Sequence, residues 1–273
     1  MPDETYTHGH HRSVLEAHQW RTVQNSAAYL LGRLTPGLRV LDVGCGPGSI
    51  TIGIAERVAP GEVVGIDGAS AAVEAASALV AEVYGDEQRN IRIELGDAYH
   101  LPYPDDSFDI VHAHQVLQHL AEPIVALVEW RRVCRPGGVV AVRDADYAAM
   151  FWWPPEPQLD RWLELYQIAA RANHGEPNAG RRLLAWALAA GFEEDDIAPS
   201  AGTWSYATAA DRGRWANTWA ERTTNSALAT QLQESGLASA EDCAAIAAGW
   251  HTWASAHDAW FVVVNGELIC TKR

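Results

Sequence analysis

Between Val40 and Thr51 the chain reads Val-Leu-Asp-Val-Gly-Cys-Gly-Pro-Gly-Ser-Ile-Thr, an apolar strand running into alternate glycines and then into a helix-like segment. Gly44, Gly46 and Gly48 leave the strand end without side chains, where a backbone must turn tightly and admit a ligand closely. A second strand-like run, Glu62 to Ile66, ends at Asp67. A carboxylate about 20 residues past such a loop can accept both ribose hydroxyls of an adenosine-type ligand, and it disfavours a 2′-phosphate. The glycine spacing is G-x-G-x-G with Pro47 inside it, not the G-x-G-x-x-G that seats a pyrophosphate on a helix N-terminus. Pro47 also removes an amide that a phosphate would use.

Further motifs follow in order. Ile91 to Leu95 is strand-like and closes on Gly96-Asp97-Ala98, then Leu101-Pro102-Tyr103-Pro104-Asp105-Asp106-Ser107-Phe108-Asp109. Phe108 to Ala113 is a fourth strand-like run, followed by His114-Gln115-Val116-Leu117-Gln118-His119-Leu120. A helical segment around Glu122 to Cys134 leads to Arg135-Pro136-Gly137-Gly138 and a fifth strand, Val139 to Arg143.

This succession resembles the class I S-adenosylmethionine-dependent methyltransferases. It closely resembles the ubiquinone/menaquinone-biosynthesis type of small-molecule methyltransferase, over the first half of the chain and more loosely beyond. The resemblance implies an α/β fold, a doubly wound seven-stranded and mostly parallel sheet of Rossmann-like form with helical cap insertions. It implies S-adenosyl-L-methionine as cofactor, S-adenosyl-L-homocysteine as product, and methyl transfer to O, N or C of a small, largely apolar, secondary-metabolite or quinone-like acceptor. By the same resemblance Gly44, Gly46 and Gly48 seat the methionine end, with Asp42 and Cys45 in the same loop. Asp67 and Gly68 then hold the ribose, Asp97 and Ala98 the adenine, and His114 the methionine side.

Methyl transfer from a sulfonium is an in-line displacement, so a protein mainly orients two reactants and, for an acidic nucleophile, removes a proton. His114 and His119 are the first candidates for that base. Equally, the first can pack beside methionine through its backbone and the second can cap or fill a short helix. Asp144, Asp146 and Tyr147 follow the fifth strand at the same face. Of these, Asp146 is a catalytic candidate and Tyr147 a substrate contact. Two carboxylates at i and i+2 point the same way if extended and could hold a divalent ion, but a third ligand is not evident, so no metal is expected. Arg21 and Asn25 are candidate partners for the methionine carboxylate, since a guanidinium fork matches that geometry, or else surface pairs. His8, His10 and His11 form a gate or a solvated stretch, with His11 the substrate contact among them. Trp152 and Trp153 are expected to wall a flat apolar acceptor. Arg171 to Asn178 either lines that cavity or connects helices.

Two rival readings share these motifs. One is a protein that binds S-adenosylmethionine without transferring methyl, as a rearrangement catalyst or a sensor. The other is an NAD-dependent oxidoreductase, against which the glycine spacing and Gly-Asp-Ala argue.

The elements that must position these residues are legible as alternating strands and helices through Arg143, which demand a parallel sheet with ligands at its C-terminal edge. At 273 residues one domain is expected. Its parts are covering helices over 1–35, a cofactor-binding core over 36–150, helical cap insertions over 151–197 and 209–259, and the last strands over 198–208 and 260–271. Asn265-Gly266 suggests a hairpin turn. With 35 acidic against 20 basic residues the formal charge is −15, which opposes a phosphate-backbone partner, so no nucleic acid is expected. No Asn/Asp-Pro-Pro-aromatic tetrad follows the fourth strand, and Lys272 is the only lysine, which argues against a Schiff base or a P-loop. Cys45, Cys134, Cys243 and Cys270 show no metal-like or paired spacing. The start of the chain lacks a signal pattern and no apolar run approaches the length of about 18 residues needed to span a bilayer. The expectation is a cytoplasmic protein without membrane insertion, acting on a small-molecule acceptor, with a homodimer as the candidate assembly.

Overall fold

Val40–Val43, buried at every position, forms strand β1, and it lies between β2 (Val63–Asp67) and β4 (Phe108–His114). All three pairings in the β3-β2-β1-β4 half, with β3 at Ile91–Leu95, are parallel, and so is that of β4 with β5 (Cys134–Ala145). Strands covered on both faces carry continuous apolar runs rather than alternation, which is why Val-Leu-Asp-Val and Val-Val-Gly-Ile stand out in the sequence. The computed structural model describes residues 20–85 and 90–273. His8, His10, His11 and the first part of the proposed covering helices lie outside them.

The second half of the sheet is antiparallel. β8 (Trp260–Thr271) pairs with β5 on one side and with β7 (Ile197–Tyr206) on the other. An eighth strand, β6 (Phe151–Trp153), joins the seven expected. Its origin is the length of β8. β5 leaves the sheet at Ala145, opposite Asn265, so the first residues of β8 would have unpaired backbone on that side, and Phe151 to Trp153 fill it against Val262 to Trp260. The chain between, Tyr147–Ala149, is a single 3-10 turn. Asn265-Gly266 is not a hairpin turn as expected but the middle of β8. Gly266 is there because the Gly180 backbone crosses so closely that a Cβ would strike its carbonyl.

Helices cover both faces. On one lie α1 (Val23–Ser26), α2 (Ser49–Val58) and α3 (Ser70–Tyr84), with Leu30, Ile54 and Val58 packed against Val40 and Val63. On the other lie α4 (Pro123–Val133) and, later in the chain, α6 (Leu183–Ala189), through Leu127, Trp130 and Trp186. The remaining helices, α5 (Pro157–Ala172), α7 (Ala209–Asn225), α8 (Ala227–Glu234) and α9 (Ala240–Ser255), form a separate cluster around buried Trp162, Trp219, Trp250 and Trp253. That cluster includes Phe261 and Val263 of β8, so the cap and the sheet share a strand.

Candidate functional site

The turn after β1 holds three residues in the left-handed region, Gly44 (φ 66), Gly46 (φ 54) and Gly48 (φ 85). A Cβ at Gly44 would run into Val116, and one at Gly48 would meet Ala76 at 3.1 Å. The loop is therefore a floor of bare backbone at the start of α2, as a closely approaching ligand requires. Asp67 faces it from the end of β2. Its Oδ2 accepts from the Gly46 amide and its Oδ1 from the Ala69 amide, both at 3.0 Å, which fixes the carboxylate in the floor's wall. Asp42 is buried and clamped, accepting from Thr51 Oγ1 at 2.6 Å and lying 2.7 Å from His112 Nδ1. Burial, with Asp42 and Asp67 nearby, holds the Cys45 thiol well above its usual pKa, so it stays protonated and unreactive. Asp97 caps its own turn, accepting from the Tyr99 amide at 2.8 Å, while the Ala98 carbonyl accepts from Trp130 Nε1 at 2.9 Å.

These groups open on one cavity of about 820 Å3. Its floor takes in Asp42, Gly44, Cys45 and Gly46, and its sides Asp67, Gly68, Asp97 and Ala98; Arg21, His114, His119 and Tyr147 also line it. The sequence candidates that share it are thus drawn from six different segments. Arg21 Nη2 donates to Gln115 Oε1 at 2.7 Å, and its guanidinium stands over Trp204, 5.3 Å from the ring centre. Gln115, just past β4, takes a left-handed conformation (φ 55) and bonds to the Arg143 carbonyl, which turns the chain into the cavity wall. His114 ends β4 with its ring 5.5 Å from Trp204. Tyr147 is buried and stacked on Tyr166 at 4.2 Å.

His119 closes the 3-10 turn Leu117–His119. Burial, with Arg21 and then Arg222, lowers its pKa to about 3, so the imidazole is neutral across the physiological range. Its Nε2 lies 2.9 Å from Gln118 Nε2, a pairing in which the amide donates to the ring and occupies that nitrogen.

Four sequence candidates sit elsewhere. Asp146 accepts from the Arg181 amide at 3.0 Å and from Arg181 Nε and Nη2 at 2.6 Å each; it holds the turn at Ala179–Arg182 and is not among the cavity residues. The catalytic expectation for it is corrected accordingly. Trp152 and Trp153 are also displaced from the substrate wall, because β6 commits them to β8: Trp152 stacks on Phe261 at 5.5 Å, and Trp153, exposed, donates from Nε1 to Asp258 at 3.0 Å. Asn25 accepts from the Thr22 amide at 2.8 Å in a capping box and likewise lies off the cavity. The i and i+2 carboxylates do not converge. Asp144 is buried and accepts from the Gln118 amide at 3.0 Å, behind the His119 turn. Among the described residues no group of three His, Cys, Asp or Glu could hold a metal ion. The stretch Arg171 to Asn178 connects, with the Glu176 amide bonded to the Gln118 carbonyl at 2.9 Å.

The aromatic wall consists of other residues: Trp20, Trp204, Tyr206, Trp215 and Trp219. Trp204 is fixed by donating from Nε1 to the Asn25 carbonyl at 2.7 Å, and Tyr206 stacks on Trp215 at 4.4 Å. Sequence reasoning had a signal for part of this. Trp215, Trp219 and Arg222 lie at i, i+4 and i+7, one face of a helix. Trp204 and Tyr206 share one face of β7 by the two-residue period.

A family model described as a methyltransferase domain matches residues 34–197. Over nearly its whole length the chain is similar to an uncharacterized methyltransferase of Schizosaccharomyces pombe, with 34% identity covering 98% of this chain and 96% of that one. It is 39% identical to the demethylmenaquinone methyltransferase of Staphylococcus aureus over 38% of this chain and 42% of that protein. Among solved structures, the (4+2)-cyclase SpnF shares the fold with a TM-score of 0.55 and 26% identity, covering 90% of this chain and 80% of that one. No helix among the described residues is long and apolar enough to cross a membrane.

Proposed function

Since the chain belongs to the class I S-adenosylmethionine-dependent methyltransferases, in the ubiquinone/menaquinone-biosynthesis group, we propose that it moves the methyl group of S-adenosylmethionine to O, N or C of a small, largely apolar metabolite in the cytoplasm. The observation that carries this reading is the continuity of the cavity. One space joins the bare glycine floor and the Asp67, Asp97 and Ala98 turns to a wall of Trp204, Tyr206, Trp215 and Trp219. At about 820 Å3 it lies at the large end of the roughly 300–1,000 Å3 typical of ligand sites.

The sulfonium supplies an electrophilic methyl group and a neutral leaving group. Asp67 accepts from the ribose hydroxyls, and Gly44, Gly46 and Gly48, free of side chains, let the methionine end lie against the backbone of the turn. Arg21 is placed to bind a carboxylate at that end. The helices α5, α7, α8 and α9, packed around Trp162, Trp219 and Trp250, act as the cap that keeps water from the reacting pair. His114 stands at the junction of the two halves and is the better placed of the two histidines to take a proton. The neutral His119, already accepting from Gln118, positions the acceptor instead.

The test is calorimetry of S-adenosylmethionine, S-adenosylhomocysteine and NAD on wild type and on Asp67→Ala. Both sulfur ligands should bind and NAD should not, and Asp67→Ala should weaken them about tenfold or more. Absence of binding by either sulfur ligand sinks the reading.

A second reading draws on the SpnF likeness. A chain with this cavity can bind the sulfonium and steer a rearrangement without losing the methyl group. The two separate on S-adenosylhomocysteine, which a methyltransferase releases in step with its product and a rearrangement catalyst never forms.

A further inference from the structure

Three arginines of the described chain are buried near the cap, and they are not treated alike. Arg143 is paired with Glu267 at 3.0 Å, and Arg212 donates to the carbonyls of Ala254 and Ala207. Arg222, 4% exposed, has no carboxylate and no carbonyl on its guanidinium among the described residues; its Nε is buried without a partner. What it does have is the face of Trp219, 5.1 Å away, and a place in the cavity wall. A buried guanidinium is costly unless an opposite charge or good acceptors meet it.

Among the described residues the surroundings offer no such charge. The acids that line the cavity, Asp42, Asp67 and Asp97, belong to the glycine-loop end, where each is held by its own turn or side-chain partners. At the cap end the ionisable neighbours among the described residues are His119, which feels Arg222 as a repelling charge together with Arg21, and Tyr206, whose phenol burial keeps protonated and neutral. Arg21 is engaged by Gln115 and Trp204. A sulfonium entering the cavity would add positive charge, not relieve it. Trp215 Nε1, another donor of this wall, is also buried without a partner.

We propose that the acceptor is an anion: a planar aryl or conjugated carboxylate whose ring lies on the Trp215 and Trp219 wall and whose carboxylate is met by Arg222. The wall favours a flat π-system, and a guanidinium fork matches two carboxylate oxygens. The proposal rests on the reading of the cavity as a joint site for S-adenosylmethionine and acceptor, and it narrows the acceptor class within that reading.

The experiment is calorimetry on the full chain saturated with S-adenosylhomocysteine, using three probes of one shape and different charge: naphthoate, naphthamide and naphthylmethylamine. Wild type should bind naphthoate about tenfold or more tighter than naphthamide, and the amine most weakly. Arg222→Met, which keeps the length of the side chain, should bring naphthoate and naphthamide within about twofold of each other with the S-adenosylhomocysteine affinity unchanged. Arg222→Lys should retain part of the preference. Equal binding of naphthoate and naphthamide to wild type, no binding of either, or a preference that survives Arg222→Met overturns the proposal. The wild-type comparison decides it even if the methionine variant fails to fold. Failure of the wider reading is seen earlier and separately, as wild type not binding S-adenosylhomocysteine at all.

Discussion

Asp144 shows how one carboxyl can matter to a site it does not touch. It is fully buried behind the cavity, with Oδ1 accepting from the Gln118 amide and Oδ2 without a partner. Burial raises its pKa to about 7, against backbone hydrogen bonds from Gln118 and Leu117 that pull the other way. Because the folded pKa lies above the ordinary carboxylate value, the folded state keeps a proton that the unfolded chain gives up. The stability this contributes is full at low pH, declines as pH rises from about 4 to about 7, and is gone above that. Asp144→Asn keeps the acceptor for Gln118 and cannot ionise. In urea unfolding across that window the wild type should lose stability relative to Asp144→Asn by up to about 1.4 kcal/mol per pH unit. Parallel pH profiles for the two proteins would show that Asp144 ionises freely in the fold. Nothing in the sequence separates Asp144 from Asp146, two residues apart with opposite fates. One faces the Leu117–His119 turn and the other is taken by Arg181, and both partners come from elsewhere in the chain. Gly44, Gly46, Gly48 and Asp67 were legible because a tight turn and the strand beside it are local matters of backbone.

At the scale of elements, the strand–loop–helix unit at β1 and α2 makes its own test. Gly44 and Gly37 both have positive φ, 66 and 92, so alanine strains the backbone at either. They differ in surroundings: a Cβ at Gly37 meets nothing within 4 Å, whereas at Gly44 it meets Val116 and pushes the floor of the cavity. Gly37→Ala should therefore lower stability by about 1 kcal/mol and leave S-adenosylhomocysteine binding intact. Gly44→Ala should weaken that binding about tenfold or more. Equal losses of affinity in the two variants would mean that the glycines serve folding alone. The misplaced aromatic wall has its cause at this scale too. Trp152 and Trp153 sit in a segment that follows β5 and were read as cap, but the length of β8 draws them into the sheet. Trp204 and Tyr206 reach the cavity for the related reason that β7 runs along the other side of the same strand. A strand's length relative to its neighbours is a tertiary quantity, and one sequence carries no sign of it.

For the molecule as a whole the question is whether the helical cap is a separate lid or part of the cooperative unit. Its tryptophans pack on one another, Trp250 lying 4.9 Å from Trp162 and 5.9 Å from Trp253, and they also pack on Phe261, 5.5 Å from Trp250. Phe261 belongs to β8, which pairs with β7 over the whole of that strand and with β5 up to Ala145. Loss of the cap cluster would thus strip one face of a central strand, so the cap and the sheet should unfold together. Trp250→Ala removes a fully buried ring and should cost about 3–5 kcal/mol. Most tryptophans lie in or against this cluster, so their fluorescence reports the cap, while far-ultraviolet dichroism reports helices on both faces of the sheet. In the wild type the two signals should give one transition, and in Trp250→Ala both should move down in denaturant by the same amount. A fluorescence transition that shifts alone, with the dichroism of the sheet and its helices left behind, would make the cap an independent lid and would move acceptor capture from a preformed wall to a closing one.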